Sequence, residues 1–327
     1  MALPVEQPQL RLGVGGVVVP GAVELEIESV GYFSADRFRA GFAIGAAGFT
    51  TIAYFAGLGL ETITIEAALN GYGLVPLLTG QIDNVQIDIL ENKAILTGRD
   101  LSARLIDTEV TQTFVNQTAS QIATAIAQRH QLTPNVTATT ALVGQYYQLD
   151  HARTALGVNA RVTSEWNLLT TLAQAESYEV SVIGTVLNFG PQQPGAPIFL
   201  TPGNFVALAF DVAAGLPGGA VVKSWNCRSK AVVSQSVGSG LMTTLVRPNL
   251  TQAQAKALAV GHLGNLARHG TILLGTMPAN LAMAPGMQIT LGGTNSTLDQ
   301  TYTIVEVLRT FDARAGFLQT IRAYAAP

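Results

Sequence analysis

Along the first hundred residues the apolar positions recur with a period of two. Val23, Leu25 and Ile27 alternate with Glu24, Glu26 and Glu28; Ile63 and Ile65 alternate with Thr62, Thr64 and Glu66; Val85, Ile87 and Ile89 alternate with Gln86 and Asp88. Strands with one buried and one polar face produce this pattern, and they belong to antiparallel sheet rather than to a βαβ layout. Glu91, Asn92 and Lys93 then form a charged turn into Ala94, Ile95, Leu96 and Thr97, which predicts a hairpin.

The period changes after residue 98. Asp100 is placed to cap a short helix over residues 101–105. Thr118 and Gln121 stand in capping-box spacing ahead of the stripe Ala119, Ile122 and Ile126, which His130 could extend before Pro134 stops the helix. A second helix is expected from Ser164 through Trp166, Leu169, Leu172 and Ala173 to about Tyr178. Residues 137–140 and 145–150 look extended. Alternation returns at residues 179–182 and 185–189, and a Pro/Gly-rich stretch, 190–203, separates these from a strand at 204–212. Further strands are expected at 221–225 and 230–233. The capping box Thr251 to Gln254 opens a long helix carrying Ala255, Leu258, Ala259, His262, Leu263 and Leu266, closed by Gly270.

The tail is β again, at 271–274, 288–291, 302–309 and 316–323. Its last two strands, joined through Asp312, Ala313 and Arg314, faintly echo the 85–99 hairpin. The expected fold class is therefore mainly β with α+β inserts: one β module used twice. The borders fall at 1–98 for the first β domain, 99–178 for an α+β insert, 179–213 for the start of the second β domain, 214–270 for an insert with a long helix, and 271–327 for completion of the second β domain.

Composition narrows the function classes. Of 327 residues 48% are hydrophobic and only 12% charged, against about a quarter in ordinary soluble proteins. So apolar a chain is not intrinsically disordered. Eighteen Lys and Arg against 21 Asp and Glu, with no basic run, argue against a free-standing nucleic-acid binder. Residues 40–60 are uncharged and long enough to span a bilayer, but five glycines and an alternating start (Phe38, Ala40, Phe42, Ile44) do not suit a spanning helix. Residues 180–210 are broken by Pro191, Pro194, Pro197 and Pro202. No membrane insertion is expected, and Glu6 and Pro8 do not fit a secretion signal.

Candidate chemistry is sparse. His130, His151, His262 and His269 show no ligand spacing; surface or helix-end positions account for them. Glu24, Glu26 and Glu28 share one strand face, as a solvated face or as a surface for a Lys/Arg-bearing partner. The stretches Gly13–Gly16 and Gly238–Gly240 lack the context of a phosphate cradle. Gly98, Arg99 and Asp100 are explained by a strand end followed by a helix cap. Trp166 and Trp225 are expected in cores. Cys227 is the only cysteine, which excludes a disulfide framework or a cysteine-ligated cluster. No catalytic, cofactor-binding or metal-binding residue is assigned.

Four ordered stretches carry a family resemblance: Ser34-Ala35-Asp36-Arg37-Phe38 before an alternating strand; Gly80 through Val85, running on to Leu96, Arg99 and Asp107; Phe114 through Ala123 with the later Ser164, Trp166 and Leu169; and Met277-Pro278, Pro285-Gly286-Met287, Asp299 through Tyr302 and Gly316-Phe317. Together they resemble phage tail baseplate hub proteins, the late control D proteins, and the hub part of type VI secretion spike proteins. The resemblance implies two antiparallel β-barrels per subunit, related to tail-tube proteins, and a homotrimer whose six barrels form a pseudo-sixfold ring. Such a ring would join a hexameric tail tube to a trimeric spike, contact other baseplate proteins, and let DNA pass without specific binding. It would sit in the virion after assembly in the bacterial cytoplasm. Because the last strand runs almost to Pro327, the spike is expected to be a separate polypeptide. An enzymatic alternative is a cell-envelope glycan or peptidoglycan hydrolase with a carboxylate pair in a cleft; a binding alternative is a tail-tip adhesin.

Overall fold

The structure, a computed structural model, describes residues 7–326 except 32, 111–113, 115, 141, 144–163, 194, 227–228, 249, 269, 313 and 315. Expectations for His151, His269, Cys227 and residues 145–150 lie outside the described residues.

The first β module contains β1 (Pro8–Val14), β2 (Val17–Val18), β3 (Ala22–Val30), β4 (Arg37–Ala43), β5 (Thr62–Leu69), β6 (Val75–Asp88) and β7 (Lys93–Asp100). Its ladder runs β2-β1-β5-β6-β7-β4-β3. Strands from opposite ends of this ladder share one core: Leu12 and Val14 of β1 lie with Leu25 and Ile27 of β3, all fully buried. The sheet therefore rolls over on itself. Each such buried aliphatic side chain contributes about 1.5–3 kcal/mol. The uncharged 40–60 stretch lies here as the end of β4, a turn and the short helix Ile52–Ala56, with the Phe42 and Phe55 rings 5.8 Å apart. Among the described residues no helix is long and apolar enough to cross a membrane. Gly98 is required by crowding, since a Cβ there would lie 2.0 Å from the Gln81 carbonyl oxygen and 2.7 Å from the Phe38 ring.

The second module comprises β13 (Ile198–Leu200), β14 (Ala207–Val212), β18 (Thr271–Pro278), β19 (Gln288–Leu291), β20 (Thr301–Asp312) and β21 (Gly316–Ala325). It also rolls: Leu200, Leu273, Leu291, Tyr302 and Ile321, drawn from five strands, share one core. The family resemblance implies two β-barrels. Instead the two modules form a single 13-stranded sheet, and its described strands do not close into a barrel. The reason is β20, whose residues 301–303 pair with β19 and whose residues 306–312 pair with β3. A register shift between Ile304 and Glu306 lets one strand serve both rolls.

The described residues of 101–190 pack beside the first roll. The helix Ala119–Arg129 starts in the Thr118–Gln121 capping box, and the helix Glu165–Glu176 starts at the Ser164 cap. Four of the helical residues, Ile122, Ile126, Trp166 and Leu169, are buried against Val180, Val182, Leu187 and Phe189. Those last four belong to β11 (Glu179–Ile183) and β12 (Val186–Gly190), expected in the second β domain. They pair instead with β9 (Thr133–Val136), β12 running parallel to it. Their alternation is the same in either location, so local pattern does not decide between them. Two local details also differ from expectation. The 119–129 helix ends at the left-handed Gln131, with Pro134 already in β9. Asp100 is not the helix cap; Ser102 occupies that position, and Asp100 accepts from Ser102's backbone N–H at 3.1 Å and from its hydroxyl.

The second insert interrupts the second roll between β14 and β18, which are themselves paired. It is a three-stranded sheet, β16 (Ala231–Gly238), β15 (Gly219–Asn226) and β17 (Met242–Val246), with the helix Gln252–Arg268 on one face. Among the described residues its fully buried apolar side chains are Ala220, Val222, Ala255 and Ala259.

Candidate functional site

The Glu24/Glu26/Glu28 face finds its cations within the sheet. In the β3–β4 ladder Glu28 lies opposite Arg37 and Glu26 opposite Arg39. Glu24 accepts from Arg39 and, at 2.6 Å, from Lys93 Nζ, and these partners hold its carboxyl below its ordinary pKa against the opposing effect of burial. Cross-strand pairing of this kind contributes about 0.2–1 kcal/mol per pair. Of the three carboxylates, Glu24 is thus already ion-paired before any partner arrives.

Where the first roll, the first insert and the second roll meet, charge is buried. Arg309 on β20 is 4% exposed and donates to the Met283 carbonyl; its Nε has no hydrogen-bond partner among the described residues. Asp36 accepts from the Val30 N–H at 2.9 Å, and its backbone carbonyl accepts from the Asp100 N–H at 2.9 Å. Burial pushes the Asp36 carboxyl up to about 6, opposed by hydrogen bonds and by the Arg309 charge. Burial and the neighbouring Asp36 push Asp100 up to about 7, opposed by Ser102. The same desolvation lowers Arg309 to about 10, which leaves it charged at neutral pH. Across the modules these groups are linked by the attraction between the Asp36 and Arg309 charges. A second clasp lies in the first insert, where buried Glu165 accepts from Arg129 and contacts His130 Nε2 at 2.5 Å. His130 is therefore a helix-end residue tying one helix to the next.

A polar cleft of about 710 Å³ where the first roll, the first insert and β20 meet is lined by Glu28, Arg37, Arg99, Asp107, Trp166 and Glu306, among others. Arg99 bridges Asp83 and Asp107 at 2.7 and 2.9 Å, so Asp107 acts as an ion-pair partner. Trp166 is buried and donates to the Phe33 carbonyl at 3.0 Å, which ties the insert to the loop before β4. Among the described residues no group of three or more His, Cys, Asp or Glu is arranged to hold a metal. His262 stands alone on its helix within the described residues.

Other exposed features suit contact with macromolecules. The sheet ends in β2 and β14, where Val17, Val18, Val206 and Val212 are exposed. Trp225, expected in a core, is 53% exposed on the sheet of the second insert. An apolar cleft of about 710 Å³ lies where residues 69–75 of the first roll approach residues 277–282 of the second. Unpaired strand edges with apolar side chains invite association unless something covers them. No sequence signal marked these positions, since edge and centre strands alternate alike.

No family model matches the sequence, and no curated protein is similar to it in sequence. The tail protein from Neisseria meningitidis MC58 superposes with a TM-score of 0.73 at 14% identity, over 97% of this chain and 96% of that one. The 43 kDa tail protein of prophage MuSo2 from Shewanella oneidensis gives 0.70 at 16%, over 97% and 98%. The Escherichia coli c3393 protein, described as a type VI secretion component structurally similar to T4 tail proteins gp27 and gp5, gives 0.60 at 12%, over 97% and 77%. The chain thus shares the fold of phage tail proteins and of type VI secretion hub proteins, inserts included.

Proposed function

We propose that this chain is a structural subunit of a phage or phage-like tail, acting as the baseplate hub. The observation that carries this reading is a likeness to tail proteins that spans nearly the whole of both chains. In the proposed assembly three copies form a ring, and each contributes two rolled β modules that complete tube-like barrels in that setting. Six modules then face the hexameric tail tube on one side, and threefold symmetry faces a trimeric spike protein and other baseplate proteins on the other. The ring surrounds the DNA path without specific binding. Its place is the virion, after assembly in the bacterial cytoplasm.

Physical features support the reading. The two rolls are joined by the β20–β3 ladder, which favours fixed relative placement of the two modules. Exposed apolar edges at β2 and β14 suit association with further strands. A low charged fraction fits a surface that is depleted of charge because it is buried between subunits. Light scattering on the purified chain, with electron-microscopy class averages, tests the proposal. A threefold ring with six density lobes is the expected image. A monomer at high concentration that binds no tube rings overturns the hub reading.

A further inference from the structure

Charge is sharply segregated along this chain. Between Asp211 and Asp299 there is no Asp or Glu, yet Lys223, Arg228, Lys230, Arg247, Lys256 and Arg268 fall there, all within the second insert. The rest of the protein holds every carboxylate and only 12 of the 18 Lys and Arg. A whole-chain net charge of −3 conceals a basic module on an acidic body.

The helix Gln252–Arg268 covers one face of the insert sheet and leaves the other open. On the open face Trp225 stands opposite Val232, and Lys223 stands opposite Val246 and Ser234. Trp225, Val232 and Val246 are each more than half exposed, and Lys223, Lys230 and Arg247 are exposed as well. Trp225 and Lys223 lie side by side on the central strand β15, flanked by Val232 and Val246, and an aromatic and aliphatic face bearing a few cations has the composition of a protein interface.

The complementary shape is in the same chain. The β6–β7 hairpin presents Ile89 and Leu90, 66% and 95% exposed, between Asp88 and Glu91. Asp88 Oδ1 accepts from the backbone N–H groups of both Leu90 and Glu91 at 2.9 Å, which sets the turn and points it outward in advance of binding. The following cation, Lys93, is taken by Glu24 and does not neutralise Glu91. Apolar tip and acidic flanks match an apolar face that carries Lys223 and borders Lys230. Leu90 is almost wholly exposed, so the tip is not docked within its own chain.

We infer that the β6–β7 hairpin tip of one copy docks on the open sheet face of the second insert of the next copy. Two different surfaces meeting head to tail are what a cyclic ring of three requires; a twofold contact would use one surface twice. The inference rests on the proposed trimer and assigns its interface.

The test compares oligomeric mass by light scattering for the wild type, Glu91→Lys, Lys230→Glu, and the two combined. Each single change should weaken association about tenfold or more, and the pair should recover most of it. Leu90→Asp and Trp225→Ser should each yield monomers whose melting matches that of dissociated wild type. A wild-type trimer untouched by all five variants overturns the interface and leaves the hub reading standing. A wild-type monomer overturns the hub reading itself. Retention of duplex DNA at physiological salt, lost in Lys230→Glu with the trimer intact, reassigns the patch to nucleic acid and overturns the inference.

Discussion

The two inserts are built from similar parts and are finished differently. The 101–190 insert buries Phe114, Ile122, Trp166, Leu169 and Phe189 within itself and ties its helices through Glu165. The 219–268 insert is centred on two alanines of its helix and two small strand residues, and leaves Trp225, Val232 and Val260 in solvent. The first insert is completed by its own chain. The second has a smaller buried core and leaves one sheet face in solvent, and its positive charge is what the proposed docking would match. Within one protein, an incomplete core marks where contact is expected.

The largest effect that sharpens this contrast is in the first core. Leu169→Ala should cost about 3 kcal/mol in chemical denaturation, whereas Leu258→Ala, on the partly exposed helix of the second insert, should cost less than about 1 kcal/mol. Equal losses would break the comparison. Next comes the clasp: Glu165→Ala removes a buried carboxylate from beneath Arg129 and His130 and should cost about 2–3 kcal/mol, read as a fall in melting temperature.

The joint between the modules gives a pH-dependent effect of the next size. Asp36 and Asp100 have folded pKa values raised to about 6 and about 7, above those of an unfolded chain. The folded protein therefore binds more protons between the unfolded value near 4 and about 7, and stability falls as pH rises through that window. Asp100→Asn should flatten the decline and raise stability above neutrality by about 1–2 kcal/mol, measured as melting temperature against pH. A wild-type profile that rises over the same window would contradict the burial of these groups. The smallest effect is Trp225→Ala, within about 0.5 kcal/mol for the separated subunit by urea denaturation. A large loss there would mean that the indole already belongs to a core.

Much of the fold can be read locally. Alternation at residues 23–28 and 62–66 becomes β3 and β5, and the capping boxes at Thr118 and Thr251 open helices as expected. Less of the candidate surface is legible. Trp225 has the local pattern of a core residue, because a strand position shows its alternation but not whether a second layer covers its face. The basic insert escapes notice when charge is totalled over the whole chain, since the acidic body cancels it. The sequence by itself determined most element types, the caps at Thr118, Ser164 and Thr251, the mainly β class and the segregation of charge, because these depend on neighbours a few residues apart. Only the tertiary structure decided that β20 belongs to both rolls, that β11 and β12 join the first insert, and that Asp36, Asp100 and Arg309 share one buried joint. Each depends on residues far apart in sequence, where register and burial come from the assembled sheet and no local period records them.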